Sequence, residues 1–220
     1  MAKKKRKSNK SSAKGGGFER LMCRAWSKWW TNERRDDIFW RTSGSGSRAT
    51  TRGKKGIEDK WNHGDMKPDD PEGFMLCTHW CFEFKNYKKY DIKGVLHRVN
   101  EHHDWLKWWA KIVDEAAAIN RAPILVTKQN AGVPIIWFHE RTWFQLQQIV
   151  DLPSEVPMIR LCITERDVKI KLKRKKSKKK PKPKPKTIHL KNHEVFGVPL
   201  DAWFNYTDPE AWDDLFEEHP

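Results

Sequence analysis

No stretch of this 220-residue sequence approaches the 18 or so consecutive apolar residues of a membrane span, and its first residues lack the apolar centre of a signal peptide. Both absences lead us to expect an intracellular protein with no membrane partner. Cysteine is scarce: Cys23, Cys77, Cys81 and Cys162 offer no disulfide framework and suit a reducing compartment. Were Cys77, His79 and Cys81 to share one strand face they would invite zinc, but no second pair with ligand spacing completes the four ligands of a structural site. The histidines, among them His63 and the pair His102-His103, likewise lack ligand spacing. No internal repeat is evident.

Acidic residues are missing from two stretches, and there the basic residues concentrate. Residues 1–14 hold seven Lys or Arg and residues 169–186 hold twelve, with no acid in either. With these set aside, 25 basic residues face 29 acidic ones, so the formal charge of +15 resides in appendages and the remainder is slightly acidic. Such blocks repel themselves, bury no apolar area, and serve as disordered arms for polyanions, nucleic acid before an anionic membrane. MAKKKRK also resembles a nuclear localisation signal, and a DNA-binding arm explains it equally well. The expected location is cytoplasmic or nucleoid-associated, including a virus-infected host cell, and nuclear in a eukaryote.

What is present between the arms reads as alternating helix and strand. After a hinge at Gly15-Gly16-Gly17, Phe18, Leu21, Met22, Ala25, Trp26 and Trp29 follow the spacing of an amphipathic helix. Ile38 to Trp40 reads as a strand, which runs into the Gly/Ser loop RTSGSGSRATTRGKKG. A short strand at GDMKP, a turn at DDPEG and a long strand FMLCTHWCFEFKN form a β-hairpin in this reading. Helix follows from Ile92 to Asn120, then two strands around Asn130-Ala131-Gly132, a helix at TWFQLQQIV and a strand at MIRLCITERDV. Together these describe an α/β domain with helices on a central mixed sheet. Most of the 13 tryptophans, such as Trp26, Trp29, Trp105 and Trp109, sit at helical spacing and belong to a core. Trp61, among polar residues, is the exception to watch for stacking on an unpaired base.

Side chains alternate along a strand, so Trp80, Phe82 and Phe84 point one way while Cys81, Glu83 and Lys85 point the other. A half-buried strand with a solvated charged face would account for this by itself. Three acids and a lysine nevertheless occupy suggestive places: Glu19 on the first helix, Asp65 at the start of the short strand, then Glu83 and Lys85. Two carboxylates side by side can hold a hard divalent cation, and a nearby lysine can position an attacking water or help deprotonate it while stabilising added negative charge.

GDM followed by FEFK, with FER on a preceding helix, resembles the PD-(D/E)XK nuclease superfamily. The helix acid and R-T-S-G-S-G look most like its Holliday junction resolvase branch and resolvase-like phage endonucleases. The resemblance covers roughly residues 17–128. It implies a restriction-endonuclease-like α/β core, dependence on Mg²⁺ for which Mn²⁺ may substitute, hydrolysis of DNA backbones in replication or recombination, and a homodimer on branched DNA. Glu19, Asp65 and Glu83 would be metal ligands and, with Lys85, the catalytic set. Arg41, Ser43 and Ser45 would approach phosphates, joined by Arg48, Arg52, Lys54 and Lys55 of the same loop. A flexible surface linker is the plainer account of that loop.

Two features depart from the pattern. The runs before GDM and between Asp65 and Glu83 are long, and a literal Pro68-Asp69 precedes E-x-K, so Asp69 competes with Asp65 for the second carboxylate. Glu19 could equally be an acid complementing a helix dipole. The expected organisation is a basic disordered arm at 1–16, the nuclease domain at 17–168, a Lys/Pro-rich linker at 169–186 and an acidic C-terminal extension at 187–220. Trp212, Leu215 and Phe216 of that extension could dock on a protein partner, the extension could fold back on the lysines, or it could be a short helix completing the fold. A non-catalytic DNA-binding protein with the nuclease fold and an RNA-binding accessory protein are the rival classes.

Overall fold

Five strands build the centre of the molecule, and the inner three bury apolar side chains on both faces, as expected of a sheet covered on two sides. The computed structural model describes residues 10–42, 61, 63–88, 103–150, 153, 155–163, 166–170, 185–190 and 193–218. Its elements in chain order are α1 (Lys10–Trp30), β1 (Phe39–Arg41), β2 (Met66–Pro68), a 3₁₀ turn (Pro71–Gly73), α2 (Phe74–His79), β3 (Trp80–Tyr87) and α3 (Asp104–Ala117). Then follow β4 (Ala122–Gln129), β5 (Ile135–His139), α4 (Glu140–Ile149), β6 (Ile159–Ile163), β7 (Arg166–Ile170), β8 (Lys186–Leu190), β9 (His193–Pro199), α5 (Leu200–Tyr206) and α6 (Pro209–Glu218). The central sheet has the order β3-β4-β5-β9-β6. Its β3–β4 pair is parallel and the others are antiparallel, with α3 on the crossover that parallel pairing demands. The fold is a restriction-endonuclease-like α/β core, a mixed sheet flanked by helices.

Alternation along the strands sorts the core into two layers. Trp80, Phe82, Phe84, Ile124, Val126, Ile136, Phe138, Phe196 and Val198 face α1, α2, α4, α5 and α6. Cys81, Leu125, Trp137 and Val195 face α3 and the small β7–β8 sheet. Nine of the 13 tryptophans are buried, including the four expected in the core, so the aromatic content of this chain serves packing first. Among the described residues no helix is long and apolar enough to cross a membrane.

Several expectations change. FMLCTH is helical, so the long strand and its hairpin do not form: Asp70 caps the 3₁₀ turn through Glu72 N–H, Pro71 starts it, and α2 leads directly into β3. The short strand β2 pairs with β1, Arg41 opposite Met66. Cys77 and His79 therefore lie on a helix rather than beside Cys81, and the zinc arrangement is not formed. Gly15-Gly16-Gly17 is no hinge but part of α1. At Gly16 a Cβ would stand 2.7 Å from Arg41 Nη1, so glycine gives that guanidinium its place against the helix. The run at 169–186 is bracketed by paired strands, Ile170 opposite Lys186, so its two ends return to one place.

The C-terminal segment is woven into the sheet. Its strand β9 lies between β5 and β6, and Trp212, Leu215 and Phe216 of α6 are buried in the main layer. Those three side chains complete the fold and are not presented to a partner. Trp61 also packs inward: it stacks on Phe74 at 5.3 Å, and the Arg121 guanidinium lies 5.0 Å over its ring.

Candidate active site

The charged face of β3 is not solvated. Glu83 is 1% exposed, and α3 covers it. Its carboxylate lies between two ammonium groups, Lys85 on its own strand and Lys111 on α3, the latter 2.6 Å from Oε2. Lys111 also reaches Glu115 one turn on, at 3.4 Å. Asp65 is 5% exposed and joins from the other side: its Oδ2 accepts hydrogen bonds from Phe84 N–H at 2.9 Å and Lys85 Nζ at 3.2 Å. Glu83, Lys85 and Asp65 thus form one ionic cluster at the end of β3 where burial gives way to exposure.

Local backbone explains why Asp65 can be there. Gly64 has φ +71°, a left-handed conformation that glycine adopts without penalty, and a Cβ on it would collide with the Phe82 carbonyl oxygen. That close approach lets Asp65 N–H donate to Phe82 O at 2.6 Å, while Asp65 O accepts from Thr42 N–H at 3.0 Å. Asp65 is therefore a bridge between β1 and β3. Asp69, the competing acid, is exposed in the turn 3.9 Å from Lys67 Nζ.

Glu19 lies in the middle of α1, since that helix starts at Lys10, so it is not a first-turn acid. It pairs with Arg41 Nη2 at 3.0 Å. Burial and then the charge of Asp65 raise its carboxyl above the ordinary value, against the pull of Arg41 and Lys85. Arg41 is thus held on β1 against an acid. Ser43, Ser45, Arg48, Arg52, Lys54 and Lys55 lie outside the described residues. Lys111 and Glu115 escaped the sequence reading, although opposite charges at i and i+4 on a helix were visible there.

The electrostatics fix the lysines as cations. Burial works against the Lys85 ammonium, but Asp65 and Glu83 outweigh it and hold the pKa above the ordinary lysine value. Lys111 behaves likewise, burial being overcome by Glu83 and Glu115. Lys85 in this arrangement carries a positive charge. Glu115 is raised by burial first, with Lys111 opposing, and its Oε2 is buried without a hydrogen-bond partner among the described residues.

Lys85 Nζ also donates to Phe84 O at 3.1 Å, so three oxygens, from Asp65, Glu83 and the Phe84 carbonyl, surround one cation. Among the described residues no three His, Cys, Asp or Glu side chains converge well enough to hold a metal ion by themselves. Two carboxylates and a carbonyl are nevertheless a hard-oxygen set of the kind magnesium uses when water and phosphate complete its shell. The donor chemistry of these three oxygens fits such an ion.

An α/β sheet that brings Asp65, Glu83 and Lys85 together in this order matches the pattern expected of the PD-(D/E)XK nuclease superfamily. A family model described as "Phage putative PDDEXK endonuclease" matches residues 10–178, and the chain belongs to that family. No curated protein and no solved structure matches it. The matched region ends before β9, although that strand completes the same sheet.

Proposed function

We propose that this chain is a metal-dependent endonuclease that hydrolyses DNA phosphodiester bonds, with branched or otherwise structured DNA as its preferred substrate. The observation that carries the reading is a buried glutamate clamped between two lysines and sharing one of them with a buried aspartate. Two acids this well enclosed would be costly in a merely structural role, and a core of apolar side chains would serve packing better. Asp65, Glu83 and the Phe84 carbonyl would hold Mg²⁺, or Mn²⁺ in its place, with Glu19 joining as its pairing with Arg41 loosens. Bound there, such an ion supplies Lewis-acid polarisation of a phosphate and a water of lowered pKa.

The chain's own residues do the rest. Lys85 and Lys111 remain protonated and place two positive charges where the attacked phosphate gains negative charge, a stabilisation worth most in a partly buried site. Water adds to phosphorus and gives up one proton to solvent, one P–O ester bond breaks, and the departing sugar oxygen takes up a proton from solvent. Arg41, once free of Glu19, can meet a phosphate oxygen. The loop at 43–55 and the two lysine-rich runs add sequence-independent affinity. The preference for branched DNA, a role in replication or recombination, and a homodimer that cuts two strands rest on the likeness of R-T-S-G-S-G and the helix acid to junction resolvases.

The test is a gel assay with labelled four-way junction, splayed-arm, duplex and single-stranded DNA and structured RNA, in Mg²⁺, Mn²⁺ and EDTA, beside Glu83→Ala and Lys85→Ala. We expect metal-dependent products lost in both variants, the junction being cut first, and light scattering would report the dimer. Binding without products under every condition would make the chain a non-catalytic DNA-binding protein, and preference for RNA would move it to the accessory class.

A further inference from the structure

Among the described residues the site opens along β3 at one end, and an aromatic pair stands at that opening. Burial along β3 is complete through Phe84, partial at Lys85 and Asn86, and lost at Tyr87, which is 43% exposed. The opposite end, at Cys81, is closed by the core. On the strand face that carries Glu83 and Lys85, the next residue outward is Tyr87, and it is the exposed one. Tyr87 stacks on Trp108 with ring centroids 4.6 Å apart and planes at 28°. Trp108 precedes Lys111 by three residues on α3 and Tyr87 follows Lys85 by two on β3, so the two elements that carry the site lysines also carry this pair one repeat further out.

We propose that Tyr87, backed by Trp108, is a stacking ledge for one unpaired base of the nucleotide adjoining the cleaved phosphate, so that the site takes a strand that is single or frayed at the cut. The inference rests on the nuclease reading and narrows its substrate. Two strand residues span about 7 Å, which is within reach of a single nucleotide anchored by its phosphate at Lys85. The Tyr87 ring is already held at a fixed tilt by Trp108, so little side-chain freedom is lost on stacking. Every base offers a flat face, so such a ledge is indifferent to sequence and reads only whether a base is available. In intact duplex the bases are stacked on one another and closed to it. A ledge of this kind gives the preference for branch points a physical origin, since bases at a branch unpair most readily.

The test needs no turnover. Affinities of the full-length protein for single-stranded DNA, the same strand carrying abasic sites, and intact duplex would be compared in EDTA at one salt concentration, with Tyr87→Leu and Tyr87→Phe alongside. The charged arms act equally on the base-bearing and abasic single strands, and equally on the duplex in all three proteins, so they cancel in each of these comparisons. The parent should favour base-bearing over abasic single strand by about fivefold or more, given 1–3 kcal/mol per stacked base. Tyr87→Leu should lose that preference, Tyr87→Phe should keep it, and duplex affinity should be the same in all three. An undiminished preference in Tyr87→Leu, or an equal loss on duplex, overturns the ledge. Cleavage in Mg²⁺ is read separately: products without base preference would spare the nuclease and sink the ledge, whereas base preference without products would do the reverse.

Discussion

At the scale of single residues, what distinguishes Asp65 from Asp69 is enclosure. Asp65 shares Lys85 with Glu83, while the Asp69 carboxylate stands exposed beside Lys67. Asp65→Asn should reduce cleavage at least about a hundredfold, whereas Asp69→Asn should stay within about twofold, because an exposed pair contributes little. Equal losses would show that the site had been drawn around the wrong acid. Glu115 gives a pH signature. Its folded pKa is raised above the ordinary 4.5, so its favourable contribution is full below that value and is lost as pH rises through the folded pKa. Glu115→Gln should therefore match the parent near about pH 4 and exceed it in urea midpoint near neutrality, in the presence of EDTA. Parallel midpoints across that range would mean that Glu115 carries no ionisation penalty in the fold. Of this site, Glu83 and Lys85 were legible because strand alternation is strictly local. Lys111 was not, since it meets Glu83 across 28 residues of chain and only packing brings them together.

At the scale of elements, the helix α2 shows where a pattern misleads. FMLCTH is a short apolar run that fits a buried strand and a buried helix equally, and periodicity cannot separate them. The deciding signal was upstream, in the Asp-Pro-Glu that caps and starts a helical turn. Gly64 is the converse: the letters G-D stood out in the sequence, but the reason for the glycine lies in a backbone approach that no spacing reveals. Gly64→Ala would force a side chain into left-handed backbone, about 1–3 kcal/mol of strain, and push Asp65 away from β3. Both stability and cleavage should fall, and a variant that keeps full cleavage would deny Asp65 its bridging role. On α6, Phe216 is 1% exposed, stacks on His79 at 4.2 Å and touches Trp80 and Trp212. Phe216→Ala should cost about 3–5 kcal/mol in a denaturant titration. A change near zero would return α6 to the status of a detachable tail.

At the scale of the whole molecule, charge and chemistry occupy different parts of the chain. The lysine-rich run at 169–186 lies in sequence between the ends of two paired strands, and Lys186 is tied to Asp114 on α3 at 2.5 Å, the helix that also carries Lys111. Neutral replacement of the lysines between 171 and 184 should flatten the salt dependence of DNA binding by about 0.9 for each phosphate no longer neutralised, while the cleavage rate at saturating DNA stays unchanged. A drop in that rate would place the run inside the catalytic step. The two-layer sheet was foreseeable from the alternation of helix and strand signals. The position of β9 was not, because a composition shift at the lysine run looks like a boundary whichever strand comes next.

That position sets a timetable for making the protein. Among the described residues β6 pairs with β9 alone, and β9 also closes the free edge of β5, yet β9 is synthesised after both. Until residue 199 has left the ribosome, two strand edges wait unpaired and the sheet is unfinished. A cell translating this chain thus holds an unfinished sheet until β9 has been made, and only then can the nuclease core close.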